Sequence, residues 1–330
     1  MDTIVRRENT HPPPRWLSKL KPFETPDSKL AIRQLADTLL PYAALWVVMV
    51  GIIRSGISFW FEVPCMVVAG GLLVRTFIIF HDCTHGSFFK SRNANCFWGW
   101  VCGVLTFTPF DSWKTQHAIH HSTSGNLDRR GTGDIWTLTV EEYLNAPWKV
   151  RCLYQLYRHP LILFVIGPPI KFFILNRIPK NEKGWQSIVF TDLLLLGVFT
   201  LASLTIGLKT YLLVQIPVMS IASCIGVWLF YVQHQFDDDY WEGQSNWDFF
   251  SAAIEGSSHY KLPPPLPWFT GHIGLHHIHH LKAGIPNYHL QRCYDAVEEL
   301  QMVPPLTLLA SLKCATLRLW NPEEKRMVPF

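Results

Sequence analysis

The sequence predicts an all-α integral membrane protein, with four transmembrane helices in two hairpins and a cytosolic helical cap carrying clustered histidines. Three observations predict it. Four apolar runs approach the roughly 20 residues a spanning helix needs. Hydrophobic residues make up 48% of the 330-residue chain and charged residues only 16%, a balance suited to partial immersion in lipid. Nine of the 15 histidines form three groups lying outside those runs, His81-Asp-Cys-Thr-His85, His117-Ala-Ile-His120-His121 and His276-His277-Ile-His279-His280, and eight of them, all but His277, fit the patterns H-x-x-x-H, H-x-x-H-H and H-x-x-H-H.

Taken in order, residues 1–33 are polar, basic and Pro-rich, with no secretory signal pattern. Spans are expected near 36–56, 62–80, 188–208 and 211–232, within a single domain covering 1–330. Only Arg75 interrupts the second span and only Asp192 the third. Short links around Arg54-Ser55-Gly56 and at Lys209-Thr210 make each pair a hairpin. Everything else, the N-terminal segment with 81–187 and 233–330, then falls on one side. All but three of the 29 Lys and Arg residues lie there, the exceptions being Arg54, Lys209 and Arg75, so the positive-inside rule makes that side cytoplasmic, with both termini and the histidines. The segments Cys96–Phe110 and Leu161–Leu175, broken by Gly, Pro or Lys, are read as interfacial or re-entrant. Gly125–Asp134 reads as a surface loop, a helix is expected from Val140, and another from Leu290 to Met302 before Pro304-Pro305. Pro12-Pro13-Pro14 and Pro263-Pro264-Pro265 mark loops.

The net charge of +4 and the absence of a basic tract interleaved with aromatics exclude nucleic acid as a partner. The eight cysteines form no C-x-x-C pair, which fits reduced thiols in or facing the cytosol. Cys83, inside the first histidine group, is read as a packing residue.

Neutral imidazole is the commonest metal ligand. On a helix, i, i+3 and i+4 share an arc of roughly 100°, so His117, His120 and His121 face one way, as do His276, His279 and His280. His81 and His85 stack one turn apart. With 15 histidines in 330 residues, an H-x-x-H-H window arises by chance roughly once in ten thousand positions, and here it occurs twice. Eight imidazoles exceed one tetrahedral zinc shell and call for two metal ions. Zinc, iron and copper all accept imidazole. A two-metal site beside lipid points to oxygen chemistry on an alkyl chain, for which iron, able to change oxidation state, is the natural choice. His234, at the cytosolic end of the fourth span, stands where a ninth ligand is needed. His277 lies at the edge of its arc and is assigned an orienting or structural role. His272, one turn before His276, is a weaker candidate because Gly271 and Gly274 disfavour an early helix start. Asp82, Asp128, Asp134 and Asp237 are candidates for orienting the far imidazole nitrogens. His11, His159, His259 and His289 are assigned no metal role.

These motifs resemble the membrane fatty acid desaturases, the histidine-box diiron family, in its bacterial acyl-lipid branch. The resemblance runs over roughly residues 40–300. It is carried by His81-Asp-Cys-Thr-His85-Gly-Ser-Phe, by His117-Ala-Ile-His120-His121 with Gly125-Asn-Leu-Asp-Arg-Arg-Gly-Thr-Gly-Asp-Ile-Trp136, by Gln233-His234-Gln-Phe-Asp-Asp-Asp-Tyr-Trp241, by Gly256-Ser-Ser and Tyr260-Lys-Leu-Pro263, and by Gly274-Leu-His-His-Ile-His-His-Leu281 with Ile285-Pro-Asn-Tyr288. It implies two irons held by His81, His85, His117, His120, His121, His276, His279 and His280, with His234 as ninth ligand, in a mushroom-like fold of four spans under a cytosolic cap. It also implies O2-dependent insertion of a cis double bond into a long acyl chain, most naturally on a membrane lipid entering a bent apolar tunnel. The chain carries no His-Pro-Gly-Gly haem motif, so the electrons are expected from a separate ferredoxin or cytochrome b5 type donor; Arg129 and Arg130 are candidates to meet such an acidic donor or lipid head groups, with a solvated loop the alternative. Relatives usually carry Asn at the position of His272 and an aromatic at that of His259. A diiron hydroxylase or ketolase acting on an alkyl chain or carotenoid is the rival on the same scaffold. A non-catalytic membrane metal-binding protein is the rival from another class, and the near absence of ionisable residues in the spans speaks against it.

Overall fold

The computed structural model describes residues 14–179 and 184–330. His11, Pro12 and Pro13 lie outside them. In chain order the α-helices are α1 (Ser28–Arg54), α2 (Glu62–His85), α3 (Arg92–Leu105), α4 (Phe110–Thr123), α5 (Val140–Asn145), α6 (Trp148–Tyr157), α7 (Gly167–Phe173), α8 (Trp185–Thr205), α9 (Leu208–His234), α10 (Phe249–Ile254), α11 (Leu266–Phe269), α12 (His276–Leu281), α13 (Asn287–Ala296) and α14 (Leu308–Cys314). Short strands β1 (Leu138–Thr139), β4 (Leu319–Asn321) and β5 (Arg326–Val328) form one sheet in the order β1-β4-β5. β2 (His259–Lys261) pairs in parallel with β3 (Pro305–Thr307). The sequence reading had no strands, because runs of two or three residues show no readable alternation.

Four helices, α1, α2, α8 and α9, are long and apolar enough to cross a membrane, which makes this a multi-pass membrane protein by length and composition. α1 begins earlier than its expected span because Asp27 caps it, Oδ1 accepting the N–H groups of Lys29 (2.7 Å) and Leu30 (3.2 Å). The second hairpin turns at Ile206–Gly207, so Lys209 and Thr210 lie in the first turn of α9 instead of in the link. Gly207, at φ +88°, supplies the reversal. The two hairpin turns lie side by side: the Arg54 guanidinium donates to the Thr205 carbonyl at 3.1 Å. Phe59, Trp60 and Phe61, all exposed, sit at the first turn, where amphipathic rings meet a membrane interface.

The spans are unequal. The most apolar stretch of α2 is 61% buried within the protein and that of α8 only 11%. α2 is thus the central post, packed on α1, α3 and α9, while α8 presents its side chains outward. Arg75 and Asp192, the charges that interrupt the apolar runs of α2 and α8, are partnered. Arg75 donates from Nε to Thr38 of α1 at 3.0 Å, and its guanidinium lies 4.1 Å over the Trp268 ring. Asp192 accepts from Arg177 at 2.5 Å.

α6 and the segment Ile162–Arg177 meet at a bend of 58°. A π-helical turn over Ile162–Ile166 precedes α7 there. The segment leaves the histidine-bearing face and returns to it, since the start of α8 is tied back to α4 by the Ser187 hydroxyl accepting from the Asp111 N–H at 3.1 Å. The expected helix at Val140 forms behind a capping box of Thr139 and Glu142. The expected helix over Leu290–Met302 is instead α13, starting three residues earlier behind Pro286, and a separate 3-10 turn over Glu298–Met302. Val297 divides them, extended at φ −124°, because its side chain is drawn into the core beside Leu300 and Ile278.

The cap is pinned to the spans by Arg158, which is 1% exposed. Its guanidinium donates to the Trp136 and Leu317 carbonyls, the Tyr231 hydroxyl and the Gln235 side-chain oxygen at 2.8–3.2 Å, all uncharged acceptors. Arg158→Met leaves several of these buried oxygens short of a donor, so it is expected to cost roughly 3 kcal/mol or more. The check is a large drop in the thermal unfolding midpoint in detergent, and an unchanged midpoint would refute this role.

Candidate metal centre

Each histidine group is delivered by a helix end. His81 and His85 occupy the last turn of α2, which stops at Gly86 in the left-handed region at φ +72°. His117, His120 and His121 lie on α4, His234 closes α9, and His276, His279 and His280 lie on the six-residue α12. Although far apart in sequence, these nine rings converge into two adjacent sets. His81, His85, His117, His121 and His279 form one, with ligand nitrogens within 4.8 Å of one another. His120, His234 and His280 form the other. His276 joins it, its Nε2 lying 2.9 Å from that of His234. The sets adjoin where the His121 and His280 rings stack at 4.2 Å.

The far nitrogens fix the tautomers. His81 Nδ1 donates to Asp82 at 3.0 Å, and its buried Nε2 has no hydrogen-bond partner. His120 Nδ1 donates to Asp134 at 2.7 Å, and His234 Nδ1 to the Gly256 carbonyl at 3.2 Å. The Nε2 atoms of His120 and His234 are therefore both lone-pair acceptors, yet they face each other at 3.2 Å. Two buried acceptors in that position repel unless a cation lies between them. Around them burial, reinforced by neighbouring imidazoles, holds His117, His121, His276, His279 and His280 well below the ordinary histidine range, which favours neutral ligand nitrogens. Across both sets, paired Nε2 atoms stand 2.9–3.2 Å apart. Nitrogens bound to one ion through bonds of about 2.1 Å have a similar spacing. The donor set thus fits metal, and the neutral nitrogen ligands suit iron or zinc.

The orienting candidates divide. Asp82 and Asp134 hold ring nitrogens. Asp237 pairs with Lys313 at 2.6 Å on the surface, and Asp128 accepts from the Gln244 N–H at 2.7 Å. His277 faces away, Nε2 donating to the Leu300 carbonyl at 3.3 Å, and burial pushes it down to about 3. His272 sits at φ +57° in the turn before α12, near Gln291 and Asp295. His259 packs on the His277 and Tyr294 rings, His289 meets the Phe23 carbonyl, and His159 accepts from the Leu161 N–H. Arg130 pairs with Glu142. Cys83 packs among apolar side chains with Ile79, Phe80 and Phe88. The Gly256 carbonyl and Asn287 escaped the sequence reading. The first, in Gly256-Ser-Ser, acts through a backbone carbonyl, and the sequence offered it only as part of a motif. The second, in Ile285-Pro-Asn-Tyr288, was visible only as part of a motif.

A cavity of about 470 Å³ adjoins the rings. His81, His117 and His276 line it, and apolar side chains such as Leu73, Phe77, Trp113 and Phe230 form most of its wall. Its lining on α9 extends from Met219 to Gln233, ~21 Å along the helix axis.

The family model described as fatty acid desaturase matches residues 57–306. The chain belongs to the fatty acid desaturase family. It is 45% identical over 311 residues to a fatty acid desaturase of Bacillus subtilis (strain 168), covering 93% of this chain and 88% of that protein. More distant are two proteins of Synechocystis. An sn-1 acyl-lipid omega-3 desaturase (ferredoxin) is 26% identical over 73% of this chain and 68% of its own length, and an sn-1 oleoyl-lipid 12-desaturase is 24% identical over 82% and 77%. The histidine sets of this desaturase are consistent with a metal site typical of the family.

Two outcomes follow. Asp134→Asn removes the anionic acceptor from His120 Nδ1 and is expected to weaken metal affinity about 10–100-fold, read by chelator competition. Wild-type affinity in this variant would exclude the orienting role. Stripped of metal, the protein is expected to lose stability as pH falls below about 6.5 and to hold it above. The sign follows from the depressed native values: below that pH the unfolded chain binds protons that the buried imidazoles refuse. Thermal unfolding of chelated protein at neutral and mildly acidic pH checks it, and equal midpoints would contradict it.

Proposed function

We propose that this desaturase uses a pair of irons, held by His81, His85, His117, His121 and His279 on one side and by His120, His234, His276 and His280 on the other, to introduce a cis double bond into a long acyl chain of a membrane lipid. The observation that carries this reading is the convergence of nine imidazoles, in sets of five and four, beside an elongated apolar cavity. When bound, the iron pair supplies the oxygen chemistry: two hydrogens leave adjacent methylenes, and O2, with two further electrons and two protons, becomes two waters.

The protein's part is positional. Leu73, Phe77 and Phe230 give the alkyl chain a dry wall. Asp82, Asp134 and the Gly256 carbonyl keep three rings in the tautomer that turns Nε2 inward. Trp113, stacked on His117 at 4.2 Å, closes one flank of that ring and lines the cavity. The two external electrons come from a separate carrier of the ferredoxin or cytochrome b5 type, in line with the ferredoxin in the name of the Synechocystis relative. The metal centre and both termini face the cytoplasm. The near absence of Lys and Arg at the hairpin turns supports this, with Arg54 and Lys209 the exceptions.

The test is expression in a host lacking the product, followed by mass analysis of total fatty acids. A chain lighter by two hydrogens, absent with His120→Ala although that variant still reaches the membrane, is the expected result. A product heavier by one oxygen would make the protein a hydroxylase, and an active His120→Ala would overturn the ligand set.

A further inference from the structure

Asp82 has two jobs for one carboxylate. Oδ1 accepts the proton of His81 Nδ1 at 3.0 Å. Oδ2 accepts twice from Asn287, from the backbone N–H at 2.6 Å and from the side-chain Nδ2 at 2.8 Å. Asn287, 2% exposed, is itself held, its Oδ1 accepting from Gln34 Nε2 of α1 at 2.9 Å. The surroundings leave the amide no other position. A Cβ built on Gly271 would lie 3.0 Å from Asn287 Oδ1 and 2.8 Å from Ile78 Cγ2, so only glycine makes room for it. Gly271 also sits at φ +53°, where a side chain is strained.

This chain of contacts runs from the first span to a metal-facing ring and crosses three separate stretches of sequence. A carboxylate held only by its imidazole swings about its own torsions, and the ring swings with it. One with its second oxygen gripped by two donors cannot.

We propose that Asn287 is a positioning residue for the metal centre: with Gln34 behind it, it clamps the Asp82 carboxylate so that His81 Nε2 stays aimed inward. The proposal rests on the metal reading given above. It assigns α1 a role beyond membrane anchoring, because the amide that orients Asn287 comes from that helix. It also explains why α13 starts at residue 287: behind Pro286, the first N–H groups of the helix have no partner within it, and one of them is spent on Asp82.

The test is a double-mutant cycle on the full-length, iron-loaded protein in detergent, with iron retention under a chelator and the Mössbauer spectrum as readouts. Asn287→Leu is expected to release iron roughly tenfold faster than wild type and to alter the spectrum at one of the two irons. Asp82→Asn combined with Asn287→Leu is expected to be no worse than Asp82→Asn alone, since both act through one carboxylate. Gln34→Leu leaves the Asn287 side chain in place and is expected to give a smaller loss in the same direction. Should Asn287→Leu fail to fold, the same cycle is run with Gln34→Leu. Wild-type retention and spectrum in the single variant, or effects that multiply in the double variant, would overturn the clamp and leave Asn287 a packing residue. A wild-type protein that never holds iron would instead sink the metal reading, and the clamp with it.

Discussion

Lone pairs that face lone pairs are the constraint on which this structure turns. His120 and His234 each give their only proton to an acceptor behind them, Asp134 and the Gly256 carbonyl, and are left with bare nitrogens 3.2 Å apart in a buried site. Among the described residues no donor lies between them, and the arrangement is consistent with a metal site typical of the family. Metal binding at such a site couples to folding, because its ligands must be gathered unprotonated.

The membrane helices solve the other half of that problem. A reactive metal pair needs rigid support and a dry approach. α2 gives both, because it is the span most enclosed by its neighbours and carries His81 and His85 in its last turn. α9 mirrors it, bringing His234 to the same level while its inward face lines the cavity. The outer spans α1 and α8 bring no histidine, and α8 presents most of its apolar stretch outward. Arg75 is the exception that fits the rule: a charge inside a span is tolerated because Thr38 and Trp268 receive it, and in return it fixes α1 and the α11 segment to the central post.

Much of this was legible in sequence because both governing signals are periodic. Apolar runs of membrane length give spans, and histidines three and four residues apart give a shared helix face. What was hidden depends on loops and on the backbone. Asp82 and Asp134 were named with Asp128 and Asp237, and nothing local separates them; the difference is that the loop after α4 folds Asp134 back onto its own helix, whereas Asp237 reaches Lys313. His277, by contrast, stands at the edge of its helical arc in the sequence, and its ring is turned toward the Leu300 carbonyl. The division of the tail at Val297 reflects burial winning over helical continuity, which no propensity registers.

The repeated H-x-x-H-H motif also acquires a geometric meaning. In α4 the pair at i and i+4, His117 and His121, joins the set of five, while i+3, His120, joins the set of four. In α12 the assignment is reversed: His276 and His280 join the set of four and His279 the set of five. On a helical wheel i+3 stands about 60° from i on the side away from i+4, the widest gap in the triad. A helix aimed between two centres must divide its histidines at that gap. Two such helices facing each other, each giving two rings to its nearer centre and one to the farther, distribute six imidazoles evenly. The asymmetry enters with α2, whose His81 and His85 both serve one set, against the single His234 from α9. The unequal sets thus follow from which span end carries an i, i+4 pair.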